Sequence, residues 1–522
     1  MSKHTHQYLN SPVWFLLFVI LTYVLHFIFF HGGYFGYDDM EYSRLAADLT
    51  KGAYDHDTQY AYRYGIILPL AASYLTFGIN DFANFLIGLL PFLGIAVWVI
   101  VLIKHLDHYA QWMAMLFLCV APMHLMYVEK PMPDLITELG FFTSFCAMYA
   151  EKYKLPGIRF RWQLFVAGII LTILSKETIL IFYPYFLLIA IYDLGRGQSR
   201  KFWLSAAAGI FSFGVLYLLG SYWFFGDALI RVKSIFAGQY LSPCAYDQLP
   251  LAAVLKRIGS QLWVEFIRNM YMIPAIFIIL LIRRKDDKVR FLSLSFTSLM
   301  LLTNFMSISY TSYVPLCPDP RHFMFILPVG ALLVAHGAEL SGKISKSDLI
   351  IMVVFLVLQL YISIDNTMEQ TWWLFLPLTG ALIAAYFGYR KWMFSFWMVG
   401  MMSVFVNNAE YNTTTDYKSQ KALNFFTMDS IAHKKYIITD HVNATIGSFH
   451  SGYDTTMNTY ISFKALDTTA LDSDISKYLI MNGMTMYLSN TNWEALPDDI
   501  RHCDTIFPKV FENKSGKVYR MK

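Results

Sequence analysis

Two adjacent carboxylates, Asp38 and Asp39, open the segment GYDDMEYSRLAADLTKG (Gly36–Gly52). Within it Tyr42, Leu45, Ala46 and Leu49 recur at helical spacing, which predicts an amphipathic helix lying along a membrane surface with both acids at its start. A helix cap accounts for one of them, because Asp38 at the N-cap with Glu41 three residues on reads as a capping box. A cap uses one carboxylate, and the second then needs its own reason to sit there. Carboxylates held beside a hydroxyl can take its proton as the oxygen attacks.

More charge of this kind lies further on. The segment MYVEKPMPDLITELGFF brings Glu129, Asp134 and Glu138 close together. Asp134 follows a proline at the start of an apolar run, so an N-cap role is one reading. Glu138 lies one turn deeper, where an acid is expensive unless it faces a cavity or a partner. Four basic side chains stand near acids: Arg63, Lys176 in LSKETILIF, and Arg321 with His322 in PDPRHFMFILP. Snorkelling, or pairing such as Lys176 with Glu177, accounts for each of these. Binding a phosphate accounts for them equally, Arg through its planar fork and Lys as a point charge.

The elements that must position these residues are membrane spans. Of the 522 residues, 56% are apolar, 17% aromatic and 15% charged, against about 45–50% apolar and about 25% charged in an ordinary soluble chain. A net charge of +4, placed at helix ends, does not suggest nucleic acid. Five cysteines without CxxC or Cys/His spacing argue against a zinc site or a disulfide scaffold. The N-terminal apolar run Val13–Phe30 lacks a small-residue cleavage site and is about a full span long, so it reads as an uncleaved first helix. Further spans are predicted at about 81–103, 109–128, 134–150, 162–175, 178–193, 202–225, 263–282, 291–308, 321–338, 348–364, 371–389 and 392–407.

The stretch Tyr64–Phe77, about 14 residues with Pro69 inside, decides the orientation of everything after it. If it does not cross, the loops holding Lys152, Lys154, Arg159 and Arg161, then Arg196, Arg200 and Lys201, then Arg283 to Arg290, then Lys343, Lys346, Arg390 and Lys391 share one side with the N-terminal tail. The other side then collects Asp38, Asp39, Glu129, Glu177 and Asp319. The positive-inside rule prefers this arrangement: thirteen spans, N-terminus cytoplasmic, C-terminus outside. On that outer side Cys244 and Cys317 are candidates for a disulfide, which needs Cα atoms within about 7 Å. The loop 226–262, with Arg231, Lys233, Lys256 and Arg257, reads as a lid or an interfacial helix.

From about residue 408 the apolar runs shorten. Lys435–Asp440, Tyr478–Met481, Met484–Leu488 and Lys517–Met521 read as short strands with helix between them. The predicted organisation is therefore a polytopic α-helical domain over 1–407, with 31–80 as its first outer loop, and a small extracytoplasmic α/β domain over 408–522. N-x-[ST] sequons fall at Asn412, Asn443 and Asn513, a pattern common by chance.

The first-loop segment resembles the acidic motif of GT-C glycosyltransferases, in the protein O-mannosyltransferase and aminoarabinose transferase branch. The following YRYGIILPLAASYLTFGINDFANFLIGLL is similar to that branch's juxtamembrane helix and second span. The resemblance covers about residues 10–410 and implies a GT-C fold. By position, Asp38 matches the family's catalytic carboxylate and Asp39 its acidic neighbour, although that neighbour is usually Glu. Asp134 matches an acid of the second outer loop that supports the donor phosphate or the acceptor, with Glu129 and His322 beside it. Arg321 and Lys176 resemble positions of the family's pattern and are the first candidates to bind the donor phosphate, with Arg63 ranked after them. The implied reaction moves a sugar from a polyprenyl-phosphate donor in the membrane to a hydroxyl or amine of a protein, lipid or polysaccharide, with inversion. It takes place on the extracytoplasmic face, a bacterial inner membrane being the expected setting. The resemblance implies no obligatory cofactor, and a divalent cation (Mg or Mn) is an option that clustered acids leave open.

Two other classes remain. A lipid or solute transporter also has many spans and intramembrane charges, but it would be expected to show repeated halves and broken helices in matching positions, which this sequence lacks. A scaffold that has lost activity is the other.

Overall fold

The computed structural model describes residues 12–56, 58–237, 246, 249–282, 286–307, 313, 315–364, 372–429, 434–466, 474–483, 485, 500 and 503–521. Helix α1 (Pro12–Phe30) leads into an extended loop, then α2 (Asp38–Thr50), a 3-10 turn (Gln59–Tyr62), α3 (Tyr64–Phe77) and α4 (Asp81–Ile103). Next come α5 (His108–Val120), α6 (Pro122–Tyr127), α7 (Asp134–Lys152) and α8 (Arg161–Ser175). A 3-10 turn (Glu177–Phe182) runs into α9 (Tyr183–Gly195), followed by α10 (Arg200–Phe225), α11 (Ile230–Ala237), α12 (Leu251–Lys256) and α13 (Leu262–Arg268). The bundle is completed by α14 (Ala275–Ile282), α15 (Asp287–Phe305), a 3-10 turn (Pro320–Ile326) with α16 (Leu327–Ala338), α17 (Lys346–Ile364), α18 (Trp372–Tyr386) and α19 (Arg390–Thr414).

This is an integral membrane protein. Among the described residues, five helical stretches are long and apolar enough to cross a bilayer: Pro12–Phe30, Asp81–Ile103, Glu177–Gly195, Arg200–Phe225 and Pro320–Ala338. Along α10 the side chains of Phe211, Leu216, Leu219, Trp223 and Phe224 are exposed, a surface that suits lipid and would be a liability in water. Several predicted spans are broken. Pro122 divides the stretch predicted at 109–128 into α5 and α6, and the stretch at 263–282 is split at Met270, whose φ is +66°. At 14 residues α3 is about 21 Å long by the α-helical rise, short of a hydrocarbon core of about 30 Å.

The close approach of α3 to α8 has a local cause. A Cβ on Gly65 would lie 2.1 Å from Ser175 Oγ and 2.9 Å from its backbone nitrogen. With no side chain at Gly65, the start of α3 presses directly on the turn that carries Lys176 and Glu177, and this brings Arg63 to Glu177.

Helix α19 continues without interruption to Thr414, beyond residue 407 where the composition changes. Helix α20 (Tyr417–Asp429) follows, then β1 (Lys435–Thr439), α21 (His441–His450), β2 (Asn458–Ser462), β3 (Ser476–Asn482), β4 (Lys509–Glu512) and β5 (Gly516–Met521). The sheet order is β2-β1-β3-β5-β4; β1 runs parallel to β2 and β3, and β5 antiparallel to β3 and β4. Every residue of β1 is buried, as a central strand covered on both faces requires. Ile437, Tyr478, Ile480 and Val518 pack with Leu423 of α20 on one face; Ile438, Leu479 and Tyr519 pack with Phe463 and Cys503 on the other. Of the strand expected at Met484–Leu488, only Thr485 is described, in a helical turn. Cys317 is disulfide-bonded, and Cys244 lies outside the described residues. The sequon side chains are engaged: Asn412 is buried, Asn443 donates to Asp440 and accepts from Gln420, and Asn513 donates to the Ser419 carbonyl.

The C-terminal sheet region is fastened to the bundle at Asp81, the first residue of α4. Its carboxylate accepts from Tyr34 Oη (2.9 Å), Tyr417 Oη (2.9 Å) and Lys421 Nζ (2.6 Å). Hydrogen bonds to a charged acceptor contribute more than neutral ones. Asp81→Ala is expected to lower stability by about 2 kcal/mol and to speed proteolysis of the C-terminal region in detergent. Unchanged proteolysis and an unchanged unfolding midpoint would contradict this role for Asp81.

Candidate active site

The two acids of the first loop part company in three dimensions. Helix α2 starts at Asp38, with Tyr37 as its N-cap residue and no side-chain cap, so the capping box expected from Asp38 and Glu41 does not form. Glu41 instead joins Arg44, which also reaches Asp48, in an ion-pair ladder along the helix. Asp39 is fully buried. Its Oδ2 accepts from Phe35 N (2.6 Å), and its Oδ1 from Tyr37 N (3.1 Å) and Met40 N (3.0 Å). Burial pushes the Asp39 carboxyl above its ordinary range, with those amides and the charge of Lys130 pulling the other way.

Asp38 faces outward to the other elements. It accepts from Tyr60 Oη at 3.0 Å and from Arg321 Nη1 at 3.2 Å. Burial, and after it the Asp38 carboxylate, pushes the Tyr60 phenol up to about 12, so Tyr60 serves as a proton donor in this bond at neutral pH. Arg321 Nε lies 2.9 Å from Asp319 Oδ2, and Asp319 caps the Pro320–Ile326 turn by accepting from Arg321 N. That turn places Arg321 and His322 side by side at the head of α16.

Lys176, at the end of α8, donates to Asp134 Oδ1 at 2.6 Å and to His322 Nδ1 at 3.0 Å. Accepting from an ammonium leaves His322 Nδ1 without a proton. Asp134 is the first residue of α7, not its cap, and its Oδ2 is buried with no hydrogen-bond partner among the described residues. Asp134, Glu138, Lys176, Arg321 and His322 line a single small cavity with Thr137 and Phe325. Glu138 is occupied by His124, whose Nε2 lies 2.9 Å and 3.1 Å from its two oxygens.

Arg63 sits behind Asp38. Its Nε donates to Glu177 Oε2 at 3.1 Å, its two Nη atoms contact Glu177 and Tyr42 Oη, and its guanidinium lies 5.1 Å from the Tyr60 ring centroid. Arg231, from α11, shares Glu177 at 3.7 Å. Both Nη atoms of Arg231 are buried and make no hydrogen bond among the described residues. Nothing in the sequence separates Arg231 from Lys233, which is exposed and pairs with Asp227.

Glu129 does not line this cavity. Its oxygens are taken by His26 Nδ1 (2.5 Å), His31 Nδ1 (2.9 Å) and Gly32 N (3.2 Å). Burial pushes the Glu129 carboxyl up, yet these histidine hydrogen bonds prevail and hold it down to about 2. Lys130, missed in the sequence, is buried over the Phe35 ring at 4.7 Å and donates to the Met126 carbonyl. Among the described residues no group of three or more His, Cys, Asp or Glu side chains is placed to hold a metal ion.

Neither a protein-family model nor a curated protein matches the chain. Solved structures do. ArnT from Cupriavidus metallidurans bound to undecaprenyl phosphate is 13% identical, with a TM-score of 0.55 and 98% of each chain covered. The same protein in the apo state is 14% identical, with a TM-score of 0.56 over 97% of each chain. The chain therefore shares the fold of ArnT over nearly its whole length.

Opposed charges at this depth are interdependent. Lys176→Met leaves Asp134 buried and unpaired, a loss of about 3 kcal/mol. Adding Asp134→Asn is expected to recover more than half of that loss, measured as unfolding midpoints of the three variants and the wild type. Simply additive losses would show that the pair is not coupled.

Proposed function

We propose that this protein is a membrane glycosyltransferase that takes a sugar from a polyprenyl-phosphate carrier and transfers it, with inversion, to an acceptor hydroxyl or amine. The observation that carries this is the meeting of Asp38 and Arg321 at 3.2 Å, 283 residues apart in the chain, beside the cavity Arg321 shares with Lys176 and His322. A proton acceptor and a cluster of cations at one cavity suit a reaction that deprotonates one group while a phosphate departs. The end-to-end likeness to ArnT, solved with undecaprenyl phosphate, supports a polyprenyl-phosphate donor.

In this reading the acceptor oxygen loses its proton to Asp38 as it attacks the anomeric carbon. The carbon–oxygen bond to phosphate breaks with its electron pair on the phosphate, which leaves without needing a proton. Arg321 and Lys176 hold that phosphate, and Arg231, ion-paired with Glu177, adds a cation beside the turn that follows Lys176. Charge compensation falls to these side chains, with no step assigned to a divalent cation. An incoming phosphate competes with Asp38 for Arg321, so donor binding frees the carboxylate that acts as base. Asp39 shapes the loop, and Asp134 holds Lys176 in place. The acidic end of the bundle and the C-terminal region would face the extracytoplasmic side, as the basic loops at the other end favour.

Purified protein assayed with a panel of polyprenyl-phosphate sugars tests this. Asp38→Asn is expected to lower kcat by about 10³-fold with donor KM little changed. Full turnover by Asp38→Asn would sink the base assignment. No turnover by the wild type with any donor, together with solute flux in liposomes, would favour a transporter.

A further inference from the structure

Backbone hydrogen bonding around the acidic loop is divided between two sources. The amides of Phe35, Tyr37 and Met40 go to Asp39, within the loop itself. Two carbonyls that flank the acids are met from more than 400 residues away. Thr445 Oγ1, on α21, lies 2.9 Å from both Gly36 O and Val442 O and shares its one proton between them, and Tyr453 Oη donates to Met40 O at 3.2 Å. Beyond α2, Lys51 Nζ returns the contact by donating to the Gly452 and Tyr453 carbonyls, both at 3.0 Å.

The fit is close enough to dictate residue type. Gly36 has φ +76°, and a Cβ there would lie 2.6 Å from Val442 Cγ1 and 3.0 Å from Val442 Cα, which is backbone and has little room to yield. Gly33, also at φ +76°, abuts the Tyr417 ring, where a Cβ would fall 2.4 Å from Cδ2. Tyr417 is itself anchored on Asp81. The C-terminal region thus has a fixed footing on the bundle and grips the loop on both sides of Asp38.

We propose that the C-terminal α/β region is a working part of the active site, in which Thr445 and Tyr453 are positioning residues that set the Asp38 carboxylate against Arg321. This rests on the transferase reading above for its chemical consequence, though the mechanical part stands apart from it. Moving α21 and the turn after it would carry Gly36 and Met40 along, and Asp38 lies between them. Misplacing a catalytic group by about 1 Å can cost as much as about 10²-fold in rate.

The test compares wild type, Thr445→Val, Thr445→Ser and the double variant Thr445→Val/Tyr453→Phe in the full-length chain. Amide hydrogen exchange over residues 33–41 and steady-state kinetics with the active polyprenyl-phosphate sugar are read side by side. The double variant is expected to exchange at least tenfold faster in this segment and to lose about tenfold in kcat, with donor KM within twofold. Thr445→Ser, which keeps the hydroxyl, should restore wild-type values. Unchanged exchange in the double variant would overturn the positioning role whether or not any donor is turned over. Faster exchange with unchanged kcat, in an active wild type, would overturn its catalytic part alone. A wild type inactive with every donor would instead overturn the transferase reading, leaving the exchange result to decide the mechanical part.

Discussion

Asp39 turns its carboxylate inward and binds three amides of its own loop, and the rest of the site follows from that. A buried carboxylate is tolerated where several N–H groups converge on it, because each replaces a lost water. Those bonds wind Phe35–Met40 into a tight turn at the start of α2. Asp38 is then directed away from the loop, toward Tyr60 and Arg321. Without that turn the two acids would be equivalent residues at the end of an amphipathic helix.

Around this turn the charges are arranged so that nearly every one has a partner, and the exceptions are informative. Lys176 with Asp134, Arg63 with Glu177 and Glu129 with two histidines are close pairs or triads in poorly solvated surroundings. Asp134 Oδ2 and the Nη atoms of Arg231 are buried without a hydrogen bond among the described residues. A buried polar atom left unmet is costly, so such atoms gather where something else is to be bound. Arg231 and Arg63 both reach Glu177, next in sequence to Lys176, so three cations are gathered around one turn.

Much of the site is legible in the sequence for one physical reason. Charges are sparse in an apolar chain and expensive inside it, so Asp38, Asp134, Lys176 and Arg321 stand out by residue type and position alone. Asp134, Lys176 and Arg321 meet at one cavity with Asp38 on Arg321, and Tyr64–Phe77 forms a helix of 14 residues. The family resemblance supplies the fold itself. What stays hidden depends on contacts distant in the chain. Which acid of the pair faces out is settled by loop amides, and Glu129 is claimed by histidines on α1 and its loop. Arg231 differs from Lys233 only in which way α11 is docked. The grip of α21 on Gly36 joins residues about 400 positions apart, and a glycine in a loop gives no hint of what presses on it.

The central claim is that the Asp38–Arg321 pair sits where a lipid phosphate departs. A structure of this protein with undecaprenyl phosphate bound tests it most directly. The phosphate is expected within hydrogen-bonding distance of Arg321 and Lys176, with Arg321 released from Asp38 and the Asp38 carboxylate open to an incoming acceptor. A phosphate bound elsewhere, with the Asp38–Arg321 contact intact, would contradict the account.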